Sequence, residues 1–334
     1  MQIPPEIRQR WREIDAFEIQ FNGKTTARIG LTVHAYVFDA DTAPVRRRLL
    51  AAADLYRARA GKHLRHRVVD RGAWASYAPP ERYDLGKAAA GVIDNPKKSW
   101  SVFFWSGEND AETDFDLAQQ YQCEIVLKNT LPDYRSAGQF ICNFPFSWME
   151  EYSFIEFVQA ICECLSPIFV SAGAGFVIPH NIGVYMKGFP NPSFALLPYA
   201  LKYPAVECSH SGYYLDIAEG FYSVNWLTAI GDEWIARLGG REALRAALLP
   251  ESMFPFRPYA GGVLIQAGKY PQFDDKHAGD DAPAYRTLNN VLRPLRIRQF
   301  NRNDLLAPPP WGNVIKEDHV RVCQEYLTRF DGSL

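Results

Sequence analysis

Residues 27–38 alternate between apolar and polar side chains, which limits the folds open to this chain. The apolar positions are Ile29, Leu31, Val33, Ala35 and Val37, and the positions between them include Arg28, Thr32, His34 and Tyr36. Because successive side chains of a strand point to opposite faces, this pattern predicts a half-buried β-strand. The chain is therefore expected to build at least one sheet.

Further strands and helices follow without regular alternation. Strands are predicted at 63–69, 100–105, 122–128, 139–144, 169–178 and 262–267, with short strands at 213–218 and 221–224. Helices are predicted at 4–14, 42–60, 81–90, 154–165, 282–292 and 316–330. Because the strands cluster instead of alternating with helices, the pattern favours an α+β fold with largely antiparallel mixed sheet and packed helices.

The chain is long enough for one large domain or two ordinary ones. It has 334 residues, of which 47% are hydrophobic, so it can bury a substantial core. Four prolines fall within residues 187–204, which predicts a wrapping connection. We expect a single domain over 1–334, with possible lobes at 20–186 and 205–334 joined by this proline-rich connection.

The last third of the chain, residues 220–298, is a packed framework. Residues 226–230 lead into a helix whose apolar positions Trp234, Ile235 and Leu238 recur at helical spacing, and Gly239 follows as a C-cap signal. This stretch contains no nucleophile beside a base and no glycine-rich phosphate loop.

The same stretch carries a family resemblance. Its motifs are Asn-Trp-Leu-Thr (225–228), Leu-Gly-Gly (238–240), Gly-Asp-Asp-Ala-Pro-Ala-Tyr-Arg (279–286) and Val-Leu-Arg-Pro-Leu-Arg (291–296). Together they resemble the bacterial type VI secretion immunity family. The similarity extends back to Ile29 through Trp-Ser-Gly-Glu-Asn (105–109) and Gly-Gln-Phe (138–140), and so covers most of the chain.

The resemblance implies an immunity protein that binds and neutralises a nuclease effector by occluding its substrate cleft. The six cysteines are spread through apolar segments without the spacing of a disulfide scaffold, which favours a cytoplasmic protein. Its partner would be a toxin with a restriction-endonuclease-like fold, and the chain would have no enzymatic activity, cofactor or metal. Net charge is −2 and the pI is about 6.4, which gives no basic field to recruit nucleic acid. We expect no membrane segment and, by default, a monomer.

An acidic segment supplies the first candidate binding residues. It contains Glu108, Asp110, Glu112, Asp114 and Asp116 and no basic residue. These carboxylates could mimic DNA phosphates or pair with lysines of a nuclease cleft. Alternatively, they form a solvated loop leading into a helix that ends near Gln120, since acidic residues are favourable at a helix N-terminus.

A second acidic loop leaves an enzymatic alternative open. Asp274 and Lys276 match half of a restriction-nuclease site, in which carboxylates hold a divalent metal and a lysine stabilises developing charge. Asp133 is the formal candidate for the missing aspartate. The simpler interpretation is a polar binding loop, whose candidate contacts are Asp274, Asp275, Asp280 and Asp281.

Three other features suggest functions less strongly. The segment 46–71 is rich in Lys and Arg, as in a nucleic-acid-binding stripe, but its only aromatic residue is Tyr56, so a solvated helix face and strand exterior is the alternative. Cys162/Cys164 and Cys208/His210 invite a zinc hypothesis without finger-like spacing, so buried free thiols are expected. The many aromatic residues form a dense core, or some of them form an interface.

Overall fold

A computed structural model of the chain describes residues 3–21, 23–70, 72–95, 97–127, 136–180, 196, 199, 201–208, 217–273, 282–298 and 316–332. Its strands are β1 (Glu18–Phe21), β2 (Lys24–Phe38), β3 (His66–Val69), β4 (Ala75–Ser76), β5 (Trp100–Trp105), β6 (Gln122–Leu127), β7 (Ala137–Phe144), β8 (Phe169–Val177), β9 (Leu227–Gly231), β10 (Phe256–Tyr259) and β11 (Gly262–Gln266).

The helices follow the same chain order. They are α1 (Pro5–Asp15), α2 (Ala43–Ala60), α3 (Leu85–Ala88), α4 (Ala90–Ile93), α5 (Ala111–Phe115), α6 (Phe154–Leu165), α7 (Asp232–Arg237), α8 (Arg241–Ala247), α9 (Pro283–Leu292) and α10 (Lys316–Leu327). Short 3-10 turns add Phe146–Glu150 and Arg293–Leu295. Within the described ranges, no helix combines the length and apolar character needed to cross a bilayer.

One sheet of eleven strands joins these elements. Its strand order is β10-β11-β9-β8-β2-β7-β6-β5-β3-β4, and β1 pairs with β2 outside this path. All the strand pairs are antiparallel. The expected α+β fold with a largely antiparallel sheet is therefore confirmed. Because β8 pairs with β9, the sheet runs through both predicted lobes. The division into lobes stays a prediction.

The alternating segment lies in β2 at the middle of the sheet, between β7 and β8. Its expected half-burial is wrong, since Thr32, His34 and Tyr36 are as buried as the apolar residues between them. The reason is that both faces of the sheet are covered. Phe169 lies on β8 opposite Tyr36, and its ring packs against that of Trp234 with centroids 6.0 Å apart.

The first face of the sheet is covered by α2 and α6. Tyr56 of α2 packs on Phe144 of β7 with ring centroids 5.0 Å apart. A Cβ on Gly138 of β7 would lie 2.8 Å from the Cβ of Ala40 and 3.0 Å from Cδ1 of Leu49. The close approach of α2 to the sheet therefore requires glycine at this position.

The two ends of the sheet are both short. The edge strand β4 has two residues, and β10 at the other end carries Pro258, which has no N–H to donate to a further strand. The Pro258 carbonyl accepts a hydrogen bond from Gln159 Nε2 at 3.2 Å. Neither end offers a long row of open backbone groups.

Several predicted elements were wrong in the framework region. Residues 227–231 form the buried strand β9 rather than the lead-in to a helix, and β10 was not predicted. The residues of the expected strand 221–224 make only one isolated bridge, from Phe221 to Arg296. Most of the connection 187–204, and residues 213–216 of the other short strand, lie outside the described residues.

Candidate functional site

The acidic segment forms a turn and the short helix α5 directly after β5. Asp110 caps this helix: Oδ1 accepts the backbone N–H groups of Glu112 and Thr113 at 3.1 and 3.0 Å, and Oδ2 accepts the Thr113 hydroxyl at 2.7 Å. The expected helix to Gln120 ends earlier, at Phe115. It ends there because the chain turns back to β2, where the Ala118 N–H donates to the Thr25 carbonyl at 3.0 Å.

Asp114 is the buried centre of this segment, with 1% exposure. It accepts hydrogen bonds from the backbone N–H and side-chain amide of Asn109, at 2.9 and 2.8 Å. His66 Nε2 lies 3.3 Å from its Oδ2. Gly107 has φ +143°, and a Cβ there would lie 2.0 Å from Asp114 Oδ2. The turn before α5 is thus built around this carboxylate, and it requires glycine.

The other four acidic residues differ in exposure. Glu108, Asp110 and Glu112 are exposed, and Asp116 is half-buried. Hydrogen bonds from the backbone and hydroxyl of Thr113 lower the pKa of Asp110, so it stays ionised near neutral pH. Among the described contacts, Glu108 and Glu112 have no ion-pair partner. The segment therefore presents three carboxylates to solvent, of which that of Asp110 is held by hydrogen bonds, and keeps Asp114 inside.

Four rings pack around Phe115 of this segment. They are Trp74, Phe103, Trp105 and His180. Phe115 lies 4.7 Å from Trp74 and 4.9 Å from Trp105, and Phe103 and His180 each lie within 5.5 Å of it. Trp74, which sequence reasoning missed, is 43% exposed. Its position between Gly72 and the proline pair 79–80 was the signal, since a tryptophan in a surface loop is a candidate binding residue.

The second predicted loop cannot be placed beside this surface. Asp274, Asp275, Lys276, Asp280 and Asp281 lie outside the described residues, as does Asp133. Their roles as effector contacts, or as half of a nuclease site, stay predictions. Within the part of the chain that the structure covers, no group of three or more His, Cys, Asp or Glu residues could hold a metal.

Comparison with known proteins decides the family. The family model TsiV, type VI immunity for VRR-NUC, matches residues 48–308, a range that includes Trp74 and the acidic segment. The chain belongs to the TsiV family. It is therefore a type VI secretion immunity protein by family, as the sequence motifs implied.

A solved structure agrees with the fold. The chain is similar to the Pseudomonas aeruginosa T6SS protein PA0821, with a TM-score of 0.77 and 20% identity over 98% of this chain and 91% of that chain. At this identity the likeness shows the fold alone. No curated protein sequence matches the chain.

This TsiV chain also buries a polar network on the second face of its sheet. Glu207 is 1% exposed and accepts hydrogen bonds from the hydroxyls of Ser171 and Tyr222 and, at 2.9 Å, from Asn225 Nδ2. Burial lowers the pKa of nearby His34, although the charges of Glu207 and Glu124 oppose this effect. Because its donors come from β8 and from the chain before β9, Glu207 links β8 to the segment that leads into β9.

The basic segment 46–71 is only partly the solvated surface that was expected. Arg46 and Arg57 are buried, at 0% and 1% exposure. Arg46 Nε donates to the Ala40 carbonyl at 2.9 Å, and Arg57 Nη2 donates to the carbonyls of Ala78 and Tyr83 at 2.7 and 3.0 Å. These two cations hold loops in place and are not available to nucleic acid.

The six cysteines of this TsiV chain are free thiols, as expected. Burial raises the pKa of Cys208 to about 12 and the pKa of Cys123 and Cys142 well above the usual value. Such thiols stay protonated at neutral pH and are poor nucleophiles. His210, the partner in the zinc hypothesis, lies outside the described residues.

Proposed function

We propose that this TsiV protein binds a VRR-NUC nuclease effector and occludes the cleft that takes up nucleic acid. The observation that carries the proposal is the presence of three exposed carboxylates, Glu108, Asp110 and Glu112, on the turn organised by Asp114. A cleft that binds nucleic acid is lined by lysine and arginine. Carboxylates held on a rigid turn complement such a surface.

Inhibition by occlusion needs binding and no chemistry from the inhibitor. The carboxylates attract the basic cleft and raise the association rate, while apolar contacts at the centre of the interface lower the dissociation rate. The half-buried Asp116 and the loop with Asp274, Asp275, Asp280 and Asp281 belong to the proposal as further contacts. We propose that the chain acts as a cytoplasmic monomer without cofactor or metal.

The test takes the product of the gene next to the one for this chain, assays it for DNA cleavage and titrates in this protein. Increasing amounts of the immunity protein should abolish cleavage of plasmid DNA at a stoichiometric ratio and yield a stable complex in size-exclusion chromatography. Cleavage that continues in the presence of excess immunity protein would overturn the proposal.

Charge reversal tests the contribution of the acidic segment. The double variant Glu108→Lys/Glu112→Lys keeps the Asp110 cap and should slow association at low salt roughly tenfold, with a weaker dependence on salt concentration. The matched control is Glu219→Lys/Glu242→Lys, which changes the net charge equally at two exposed carboxylates elsewhere. Equal association rates for the two double variants would remove the acidic segment from the interface.

A further inference from the structure

We infer that Trp74 is the anchor of the effector interface and that its exposed ring receives a cationic side chain, arginine or lysine, from the basic surface of the effector. This inference rests on the proposed function and identifies the contact at its centre. Trp74 lies next to the acidic segment because its ring touches Phe115, the last residue of α5, with centroids 4.7 Å apart. The exposed ring is therefore a neighbour of the short helix that carries the acidic residues.

Trp74 is the exposed one among the tryptophans that the structure describes. The other described tryptophans are Trp11, Trp100, Trp105, Trp148, Trp226 and Trp234, and none is more than 4% exposed. Trp74 is 43% exposed although the ring of Trp105 lies 5.6 Å away. Tryptophan is among the residues most enriched at the energetic centres of protein interfaces. An exposed indole on a well-packed support is therefore suited to bind a partner.

The ring is held in position before any partner arrives. It meets Phe115 and Trp105 edge-to-face, at interplanar angles of 71° and 87°. The chain that follows is pinned as well, because Arg67 Nε donates to the Ser76 carbonyl at 3.2 Å and Arg57 Nη2 to the Ala78 carbonyl. A preorganised anchor loses little conformational entropy on binding.

The charges around Trp74 select the partner. The exposed carboxylates of Glu108, Asp110 and Glu112 lie on the segment that ends at Phe115. The nearby Arg67 is already engaged, with its guanidinium 3.6 Å from the centre of the Tyr83 ring. A cation over the indole face would gain cation–π attraction and find a carboxylate beside it. Nucleic acid could also stack on the ring, but its phosphates would be repelled by the same carboxylates.

The experiment compares substitutions at Trp74 with one at a distant exposed residue. Trp74→Ala should weaken binding of the effector roughly 30-fold, as measured by calorimetry with a cleavage-inactive effector. The control is Leu249→Ala, which removes a side chain that is 63% exposed near the other end of the sheet and should leave affinity unchanged. Equal thermal melting of both variants and the wild type excludes loss of folding as the cause.

A second pair of variants tests the cationic occupant. Trp74→Phe keeps an aromatic face and should retain more affinity than Trp74→Leu, which keeps apolar area alone. If Trp74→Leu binds as tightly as Trp74→Phe, the occupant is not a cation and that part of the inference is overturned.

A titration with nucleic acid tests the alternative occupant. Addition of a single-stranded oligonucleotide to the free protein should not quench its tryptophan fluorescence. Salt-sensitive quenching that is lost in Trp74→Ala would identify nucleic acid as the occupant and overturn the inference.

The outcomes separate this inference from the proposed function. If the wild-type protein inhibits the effector and Trp74→Ala binds it with the same affinity, the anchor is overturned while the proposed function stands. If the wild-type protein neither binds nor inhibits the effector, both are overturned. Weaker binding by Trp74→Ala, with melting unchanged, supports the anchor.

Discussion

Asp114 and Glu207 are both buried carboxylates with 1% exposure, but they organise the molecule at different ranges. Asp114 accepts hydrogen bonds from Asn109, five residues earlier in the same turn. Glu207 accepts hydrogen bonds from donors in distant segments, Ser171 of β8 and Asn225 before β9. The comparison indicates that one carboxylate shapes a surface and the other holds the fold together.

The largest expected effect is the loss of stability in Glu207→Ala. This substitution leaves a cavity and three buried donors without their acceptor, so the free energy of unfolding should fall by about 3–5 kcal/mol. Urea denaturation followed by circular dichroism measures this change. Glu207→Gln, which keeps the volume and one acceptor oxygen, is the control and should lose less. A small effect in Glu207→Ala would contradict the role of Glu207 as a long-range tie.

Asp114→Ala should separate surface shape from stability. Because its hydrogen-bond partners are mainly local, the free energy of unfolding should fall by only about 1–3 kcal/mol. Binding of the effector should weaken roughly tenfold, since the turn that carries the exposed carboxylates loses the acceptor that organises it. Calorimetry with the effector and urea denaturation give the two values. If Asp114→Ala lowers stability as much as Glu207→Ala does, the proposed distinction between the carboxylates fails.

The pH dependence of stability tests the surroundings of Glu207. Burial lowers the pKa of His34 in the folded protein, so below pH 6.5 the unfolded chain takes up a proton that the folded protein does not. Stability should therefore fall as the pH is lowered from 6.5 towards the folded pKa, by at most about 1.4 kcal/mol per pH unit. Above pH 6.5 the stability should not depend on the protonation of His34.

His34→Gln serves as the reference for that measurement, because the lowered pKa of His63 contributes in the same direction in both proteins. The difference between the two curves should be confined to the window below pH 6.5. In Glu207→Gln the decline should be steeper, since His34 loses a negative charge that favours its protonated form. Parallel curves for the wild type and His34→Gln would contradict this prediction.

The smallest effect is expected from removing one donor to each carboxylate. Ser171→Ala should cost about 1 kcal/mol, the usual net value of a hydrogen bond, because Glu207 keeps its other donors. Asn109→Ala should have a still smaller effect on unfolding, because Asn109 is exposed and water can replace its amide. Chemical denaturation of the two variants in parallel gives the ordering, and the reverse ordering would contradict it.

Local sequence signals predicted much of the fold. The strand at 100–105 and the helix at 154–165 were predicted with the bounds that the structure has. Helix α9 was predicted from a proline in its first turn and an apolar stripe. These elements follow from residues that are neighbours in sequence, so their patterns are visible without the tertiary structure.

The strand β9 could not be recognised in the same way. It is buried on both faces, so its residues are nearly all apolar and the period-two alternation of a half-buried strand is absent. The apolar run therefore merged with the helix that follows at 232–237. The same burial of both faces explains why the polar residues of β2 are buried, although their alternation with apolar residues predicted that they would lie at the surface.

The candidate site was found in part. The acidic segment was evident from its composition, but composition does not distinguish Asp114, which is buried, from Glu112, which is exposed. That difference depends on contacts between distant segments, including His66 beside Asp114 and Trp74 against Phe115. The loop at 274–281 remains a prediction from sequence.

The short strands at the two ends of the sheet affect how readily such a protein associates with itself. A two-residue strand at one end and a proline at the other leave little template for a second chain to extend the sheet, so self-association through strand addition is disfavoured. A protein that inhibits by occupying its target has to be in place before the toxin is delivered. Sheet ends of this kind disfavour one route to aggregation during that time.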